Sequence, residues 1–152
     1  MKFERSLDIG ERGEVKVATD ILEKKGFTIK GYNKNMDYDI MVEKNNKTYT
    51  IEVKTDQYEF YNDTTTNNMY FEIKCNGKAS GLMGTKADYI FYYFPKHGLV
   101  YMIGVPELRL IIHTIGGINY GAGDGGRVVG YLVNRLDEDV MKHFKIYKMK
   151  ND

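Results

Sequence analysis

The chain has 152 residues, 42% hydrophobic and 28% charged, which predicts one domain with its own hydrophobic core. A net charge of +1 argues against a strongly basic protein that coats nucleic acid nonspecifically, although a local patch can still bind one. The single Cys75 excludes an internal disulfide framework and fits a cytoplasmic setting; no apolar run reaches the roughly 20 residues of a membrane span, and MKFERSLDIGE has no apolar signal region.

Gly10 to Lys25 predicts a helix, with Val15, Ala18, Ile21 and Leu22 at helical spacing. Lys24 and Lys25 suit the negative end of its dipole, and Gly26 suits the left-handed residue that follows. Phe27 to Gly31 reads as a short extended segment. Tyr38 to Glu43 and Thr48 to Thr55 read as strands joined by a turn at Asn45 and Asn46, hence a hairpin. Asp56 to Asn68 is polar and reads as loop, Met69 to Lys74 as strand, and the Gly- and Ser-containing Asn76 to Lys86 as loop with a helical turn. Asp88 to Phe94 is an aromatic strand that turns at Pro95 to Gly98 into a further strand, Leu99 to Val105. Pro106 opens a short helix to about Ile112. Ile115 to Arg127 reads as Gly-rich loop, Val128 to Val133 as strand and Asp137 to Phe144 as a closing helix. This order predicts a single α/β domain over 1–152, with a mixed central sheet flanked by helices.

The chemistry concentrates in TYTIEVKTD, Thr48 to Asp56. Alternation along a strand puts Glu52 and Lys54 on one face, opposite Ile51 and Val53. The hairpin brings Asp39 beside Glu52. Two carboxylates so close repel each other unless a hard divalent cation lies between them. Mg²⁺ is commonly held by one or two carboxylates with water and substrate phosphate. A neighbouring Lys can activate water or stabilise charge developing on phosphorus. Asp39, Glu52 and Lys54 therefore point to metal-assisted phosphodiester hydrolysis. Glu14 lies at the edge of the inward stripe of the first helix, with Val17, Ala18 and Ile21 three, four and seven residues on. An acid there is costly unless it meets a cation or donors. Glu11, one turn earlier, is an alternative.

Glu14, then Asp39, then Glu52-Val53-Lys54, on helix, strand and strand, resembles the PD-(D/E)XK nuclease superfamily. The helix ending in Lys24-Lys25-Gly26-Phe27 is similar to that of archaeal Holliday-junction resolvases and small phage or viral nucleases, and SGLMGTKADYIFYYF also resembles a segment of the latter. The likeness covers roughly residues 10 to 56. It implies a restriction-endonuclease-like fold, Mg²⁺ or Mn²⁺ held by Asp39 and Glu52, water assistance by Lys54 and support from Glu14. Tyr38 stands where the motif has Pro, and Asp37 competes with Asp39 as the first acid; the apolar Ile40-Met41-Val42 after Asp39 favours it.

Gln57 keeps the phase of Glu52 and Lys54, so it can reach the site or the substrate or simply end the strand. Ser80, Thr85 and Lys86 stand in a Gly-punctuated loop and are candidate phosphate contacts, or parts of an ordinary capped turn. Arg127 ends a Gly121 to Arg127 loop that lacks the Walker spacing. Lys74, Lys78, Lys86 and Arg127 are candidates for a basic patch. Asp88 reads as a strand cap. Tyr89 to Phe94 reads as core on one face, with base stacking as a lesser reading. His97, His113 and His143 have no ligand spacing, and no CxxC or HExxH points to zinc.

The expected function is a Mg²⁺- or Mn²⁺-dependent DNA endonuclease, junction-resolvase-like and phage- or virus-derived by resemblance, with Asp39, Glu52 and the Val53 carbonyl as the expected metal ligands. The alternative is a noncatalytic nucleic-acid-binding module that retains the fold. An RNA endonuclease fits less well, because no His stands near the constellation. Cutting both strands of a duplex or junction calls for a homodimer. Leu108, Leu110, Ile111, Ile112 and the strand at 89 to 94 are its candidate interface, and equally candidate core.

Overall fold

The computed structural model describes residues 2–33, 37–58, 66–121 and 127–149. Helix α1 (Lys2–Val17) runs on through a π-type turn (Ala18–Leu22) and a 3₁₀ turn (Glu23–Lys25). It stops at Gly26, whose φ of 88° requires the left-handed region, and the Gly26 N–H donates to the Glu23 carbonyl. The helix starts eight residues before the expected Gly10, at Lys2. Ile9, Gly13, Val17, Ala18, Ile21 and Leu22 are its buried stripe, whereas Val15, expected in that stripe, is 52% exposed. Two residues from Val17, it points nearly to the opposite side of the helix.

Strands β1 (Thr28–Tyr32), β2 (Ile40–Lys44) and β3 (Lys47–Thr55) form an antiparallel meander. Asn45 and Asn46, at φ 53° and 64°, make the tight turn of the β2–β3 hairpin. Next come β4 (Asn68–Cys75), β5 (Lys78–Ala79), a 3₁₀ turn (Gly81–Met83), β6 (Tyr89–Phe94) and β7 (Leu99–Gly104). Helix α2 (Val105–Ile115), β8 (Gly117–Asn119), β9 (Val128–Asn134), the one-turn helix α3 (Glu138–Met141) and β10 (Lys145–Lys148) complete the described chain. The fold is mixed α/β with two sheets. The six-stranded sheet has the order β1-β2-β3-β6-β7-β10, with β3 and β6 parallel and the other pairs antiparallel. The four-stranded sheet is antiparallel, in the order β5-β4-β9-β8.

Three strands depart from the expectations. β5 and β8 lie in segments that read as loop, and β10 follows a closing helix that spans Glu138–Met141 rather than reaching Phe144. Each is short: β5 folds back on β4 across the Asn76-Gly77 turn, β8 pairs with the next strand β9 across the Gly-rich loop, and only β10 takes its ladder from a distant strand, β7. The large sheet is also not flanked simply by helices. α1 covers one face, while the second sheet and α2 cover the other.

β6 is therefore buried on both faces. Phe91 and Tyr93 join the α1 core, and Ile90, Tyr92 and Phe94 join the core beneath the second sheet. The strand is consequently neither a stacking platform nor an interface. Leu108 and Ile112 of α2 are also core, with Ile111 packed against it, which leaves Leu110, 75% exposed, from the expected interface group. On β3, Glu52 and Lys54 pair with Ile90 and Tyr92 of β6, so both project on the face turned toward the second sheet.

Candidate active site

The β2–β3 register pairs Ile40 with Ile51, which sets Asp39 opposite Glu52. The Asp39 N–H donates to the Ile51 carbonyl at 2.9 Å, and Asp39 Oδ2 accepts from the Val53 N–H at 2.7 Å. Strand pairing stops at Ile40, so the Asp39 carboxylate takes over the β3 edge where β2 ends. In a ladder, one residue's N–H and C=O face the same neighbour, so the Val53 carbonyl faces that edge too. Asp37 is used differently. Its carbonyl accepts from the Lys86 N–H at 2.9 Å, and its exposed carboxylate lies 3.8 Å from Lys86 Nζ. Asp39 rather than Asp37 brings an acid to β3.

Lys54 Nζ lies 4.0 Å from Glu52 Oε1. Glu52 Oε2 is 2.9 Å from the hydroxyl of buried Thr85, which is also 3.1 Å from the Asp37 carbonyl and accepts from the Ala87 N–H at 3.1 Å. A hydroxyl has one proton to give, so Thr85 serves Glu52 or Asp37 at any moment. The loop carrying Thr85 is held from α2. Arg109 Nη2 donates to the Thr85 carbonyl at 2.6 Å, and Nε donates to the Leu82 carbonyl at 2.9 Å. Arg109 escaped the sequence reading; its one signal was a cation inside the apolar helix Leu108 to Ile112.

Helix α1 delivers Glu14. Gly13 packs against β3 so tightly that a Cβ there would overlap Thr55 Oγ1, which brings the next residue to the β3 end of the sheet. Burial pushes the Glu14 carboxyl up to about 7, and the charges of Asp39, Glu11 and Glu52 add to the effect. Asp39 is also raised by burial, against the Val53 hydrogen bond and the Lys54 charge. Glu52 is raised by burial and by Asp39, against Lys54 and Thr85. The three acids thus share one partly desolvated field.

Glu52 and Lys54 open into a cleft of about 510 Å³, walled by Tyr70 and Glu72 of β4 and by Ser80 and Thr85. Tyr70 and Glu72 also escaped the sequence reading. In Met69-Tyr70-Phe71-Glu72 they alternate with buried Met69 and Phe71, and that alternation was their signal. Gln57 lies beyond the end of β3 and is not among the residues lining this cleft. Lys86 is exposed beside Asp37. Arg127 stands at the far end of β9, where its carbonyl accepts from the Asn76 N–H at 2.7 Å, next to exposed Lys74 and Lys78. Asp88 caps the sheet: its Oδ2 accepts from the Thr50 N–H at 2.9 Å. Residues 122–126 of the Gly-rich loop lie outside the described residues.

Among the described residues, no group of three or more His, Cys, Asp or Glu side chains is placed to hold a metal ion. What β2 and β3 bring together is the Asp39 and Glu52 carboxylates beside the Val53 backbone, with Glu14 in the same acidic field. Compared with known proteins, the chain matches no family model, no curated protein and no solved structure.

Proposed function

We propose that this protein is a divalent-metal-dependent deoxyribonuclease with a restriction-endonuclease-like active site, in which Asp39, Glu52 and Lys54 act on the scissile phosphodiester and Glu14 supports them. The observation that carries this reading is the convergence at the open end of β2. Asp39 is anchored 2.7 Å from the Val53 amide, opposite Glu52, with Lys54 4.0 Å from Glu52 at the base of a cleft.

The residues fit a hard cation such as Mg²⁺ or Mn²⁺. Asp39 and Glu52 offer carboxylate oxygens, with the Asp39 charge helping to raise the Glu52 carboxyl; the Val53 carbonyl shares their edge, and Mg²⁺ needs only one or two carboxylates beside water and phosphate. When bound, such an ion supplies Lewis-acid polarisation of the phosphate and a more acidic water. The chain's own groups do the rest. The Val53 N–H fixes the Asp39 carboxylate, and Thr85 fixes Glu52. Lys54 offers three donors to the attacking water and to charge developing on the phosphate oxygens. Glu14, titrating near neutrality, holds or releases a proton at the rear of the site.

The test is incubation of the protein with labelled single-stranded, duplex, flap and four-way DNA in Mg²⁺, in Mn²⁺ and in EDTA. The reading predicts metal-dependent cleavage of at least one substrate. DNA binding without cleavage of any substrate would favour a noncatalytic nucleic-acid-binding module instead.

A further inference from the structure

The cleft above Glu52 and Lys54 does not end at Tyr70. Tyr70 and Tyr92 also line a second cleft of about 480 Å³, walled by Asp56, Tyr58, Thr66, Asn67, Asn68 and Leu132. The two adjoin along the chain direction: the first follows β3 through Glu52, Lys54 and Thr55, and the second continues at Asp56 and Tyr58. Together they form a trough running off the end of β3 along β4, with Tyr70 at the divide.

Tyr70 is held firmly there. Its ring lies on Gly130 of β9, where a Cβ would come within 2.5 Å of the ring atoms. Its backbone N–H donates at 3.1 Å to the hydroxyl of buried Tyr92. Tyr58, 47% exposed, offers a second aromatic surface on the other side of the divide. Asn67 and Asn68 bring side-chain amides, groups that read base edges, while the Thr66 hydroxyl is paired with the Asn68 backbone. Glu72, on the wall of the first cleft, disfavours phosphate but can accept hydrogen bonds from base amino groups, whereas Asp56 is buried. Beyond Ala79, at the mouth of the first cleft, Lys74, Lys78 and Arg127 gather at the end of the second sheet.

We infer that the trough takes a single nucleic-acid strand, with bases against Tyr70 and Tyr58 and the backbone crossing Lys54, rather than an intact duplex. The inference rests on the nuclease reading of Glu52 and Lys54 and assigns that site its substrate class. Each cleft has a volume suited to a small-molecule-sized unit. Paired bases inside a duplex present no free face to either tyrosine and must first be unstacked. A single strand offers a free face at every base, and aromatic platforms serve it regardless of sequence.

The test is fluorescence anisotropy of the full chain in EDTA, with a labelled 20-nucleotide single strand and the blunt duplex of the same sequence. The single strand should bind at least about tenfold more tightly. Tyr70→Ala should weaken single-strand binding by roughly tenfold, since each lost stacking contact is worth about that much. Tyr58→Ala should do likewise, and because its side chain is half exposed, it keeps the test valid if Tyr70→Ala misfolds. Equal or tighter duplex binding, or an unchanged single-strand affinity in folded Tyr58→Ala and Tyr70→Ala, would overturn the inference. Cleavage in Mg²⁺ is read separately. Duplex cleavage without single-strand preference overturns this inference alone. Single-strand preference with no cleavage of any DNA keeps the trough and overturns the nuclease reading.

Discussion

Asp39 and Val53 are joined by a 2.7 Å hydrogen bond from the Val53 amide to the Asp39 carboxylate, at the point where β2 stops pairing with β3. This bond gives Asp39 two roles, as strand-end acceptor and as candidate ligand, and substitutions separate them. Asp39→Asn keeps an acceptor oxygen and removes a charge that repels Glu52 and Glu14. It should match or exceed wild type in stability without metal, yet lose divalent-cation binding by calorimetry. Asp39→Ala leaves the partly buried Val53 N–H without its acceptor and should be about 1–3 kcal/mol less stable than Asp39→Asn in urea denaturation. If Asp37→Asn abolishes cation binding and Asp39→Asn does not, the first acid is misassigned.

Gly13 and Thr55 set the position of Glu14. Gly13→Ala would force α1 away from β3, because the added Cβ overlaps Thr55 Oγ1. The expected cost is about 1–3 kcal/mol of overpacking, together with a loss of cleavage. The paired change Gly13→Ala with Thr55→Ala removes the clash and should recover most of the stability. A Gly13→Ala protein as stable as wild type would contradict the close approach.

Arg109 positions the loop that orients Glu52. Arg109→Leu leaves the Leu82 and Thr85 carbonyls without their donors and should cost about 1–3 kcal/mol. Arg109→Lys cannot reproduce the two-pronged contact and should recover only part of it. Thr85→Val keeps the Arg109 contact to its carbonyl but removes the hydroxyl partner of both Glu52 and the Ala87 N–H, so it should lower cation affinity together with some loss of stability. Equal cation affinity in Thr85→Val and wild type would remove Thr85 from the site.

The raised Glu14 carboxyl has a defined signature in pH. Its folded-state value of about 7 lies above the unfolded value of 4.5, so between the two the native state binds more protons than the unfolded state. The stability tied to protonated Glu14 is fully present below the unfolded value and is lost as pH rises through about 7. In EDTA, the Tm difference between Glu14→Gln and wild type should therefore grow in favour of the variant from pH 5 to pH 7.5. Thermal melts by circular dichroism would check it. A pH-independent difference would contradict the shared acidic field.

Much of this was legible from local pattern. The Asn45-Asn46 turn fixed the hairpin register, and that register set Asp39 opposite Glu52. Gly26 marked the helix end through its left-handed φ. What was not legible depends on long-range partners. The second sheet joins two local hairpins through one pairing far apart in sequence, β4 with β9, which begins at Val128. The cleft wall at Tyr70 and Glu72 could not be anticipated without it. β6 looked one-sided because its two cores come from α1 and from the second sheet, neither adjacent to it in the chain. Arg109 was hidden because its partners are backbone carbonyls, which carry no mark in the sequence.

The central claim is that Lys54, beside Glu52 at the base of the cleft, acts in phosphodiester hydrolysis. The most direct measurement is the single-turnover cleavage rate of labelled DNA in Mg²⁺ by wild type and by Lys54→Ala, with folding of the variant checked by circular dichroism. The account predicts cleavage by wild type and a loss of at least about a hundredfold in the folded variant, the scale expected for removing one preorganised transition-state donor. An unchanged rate in folded Lys54→Ala would contradict it.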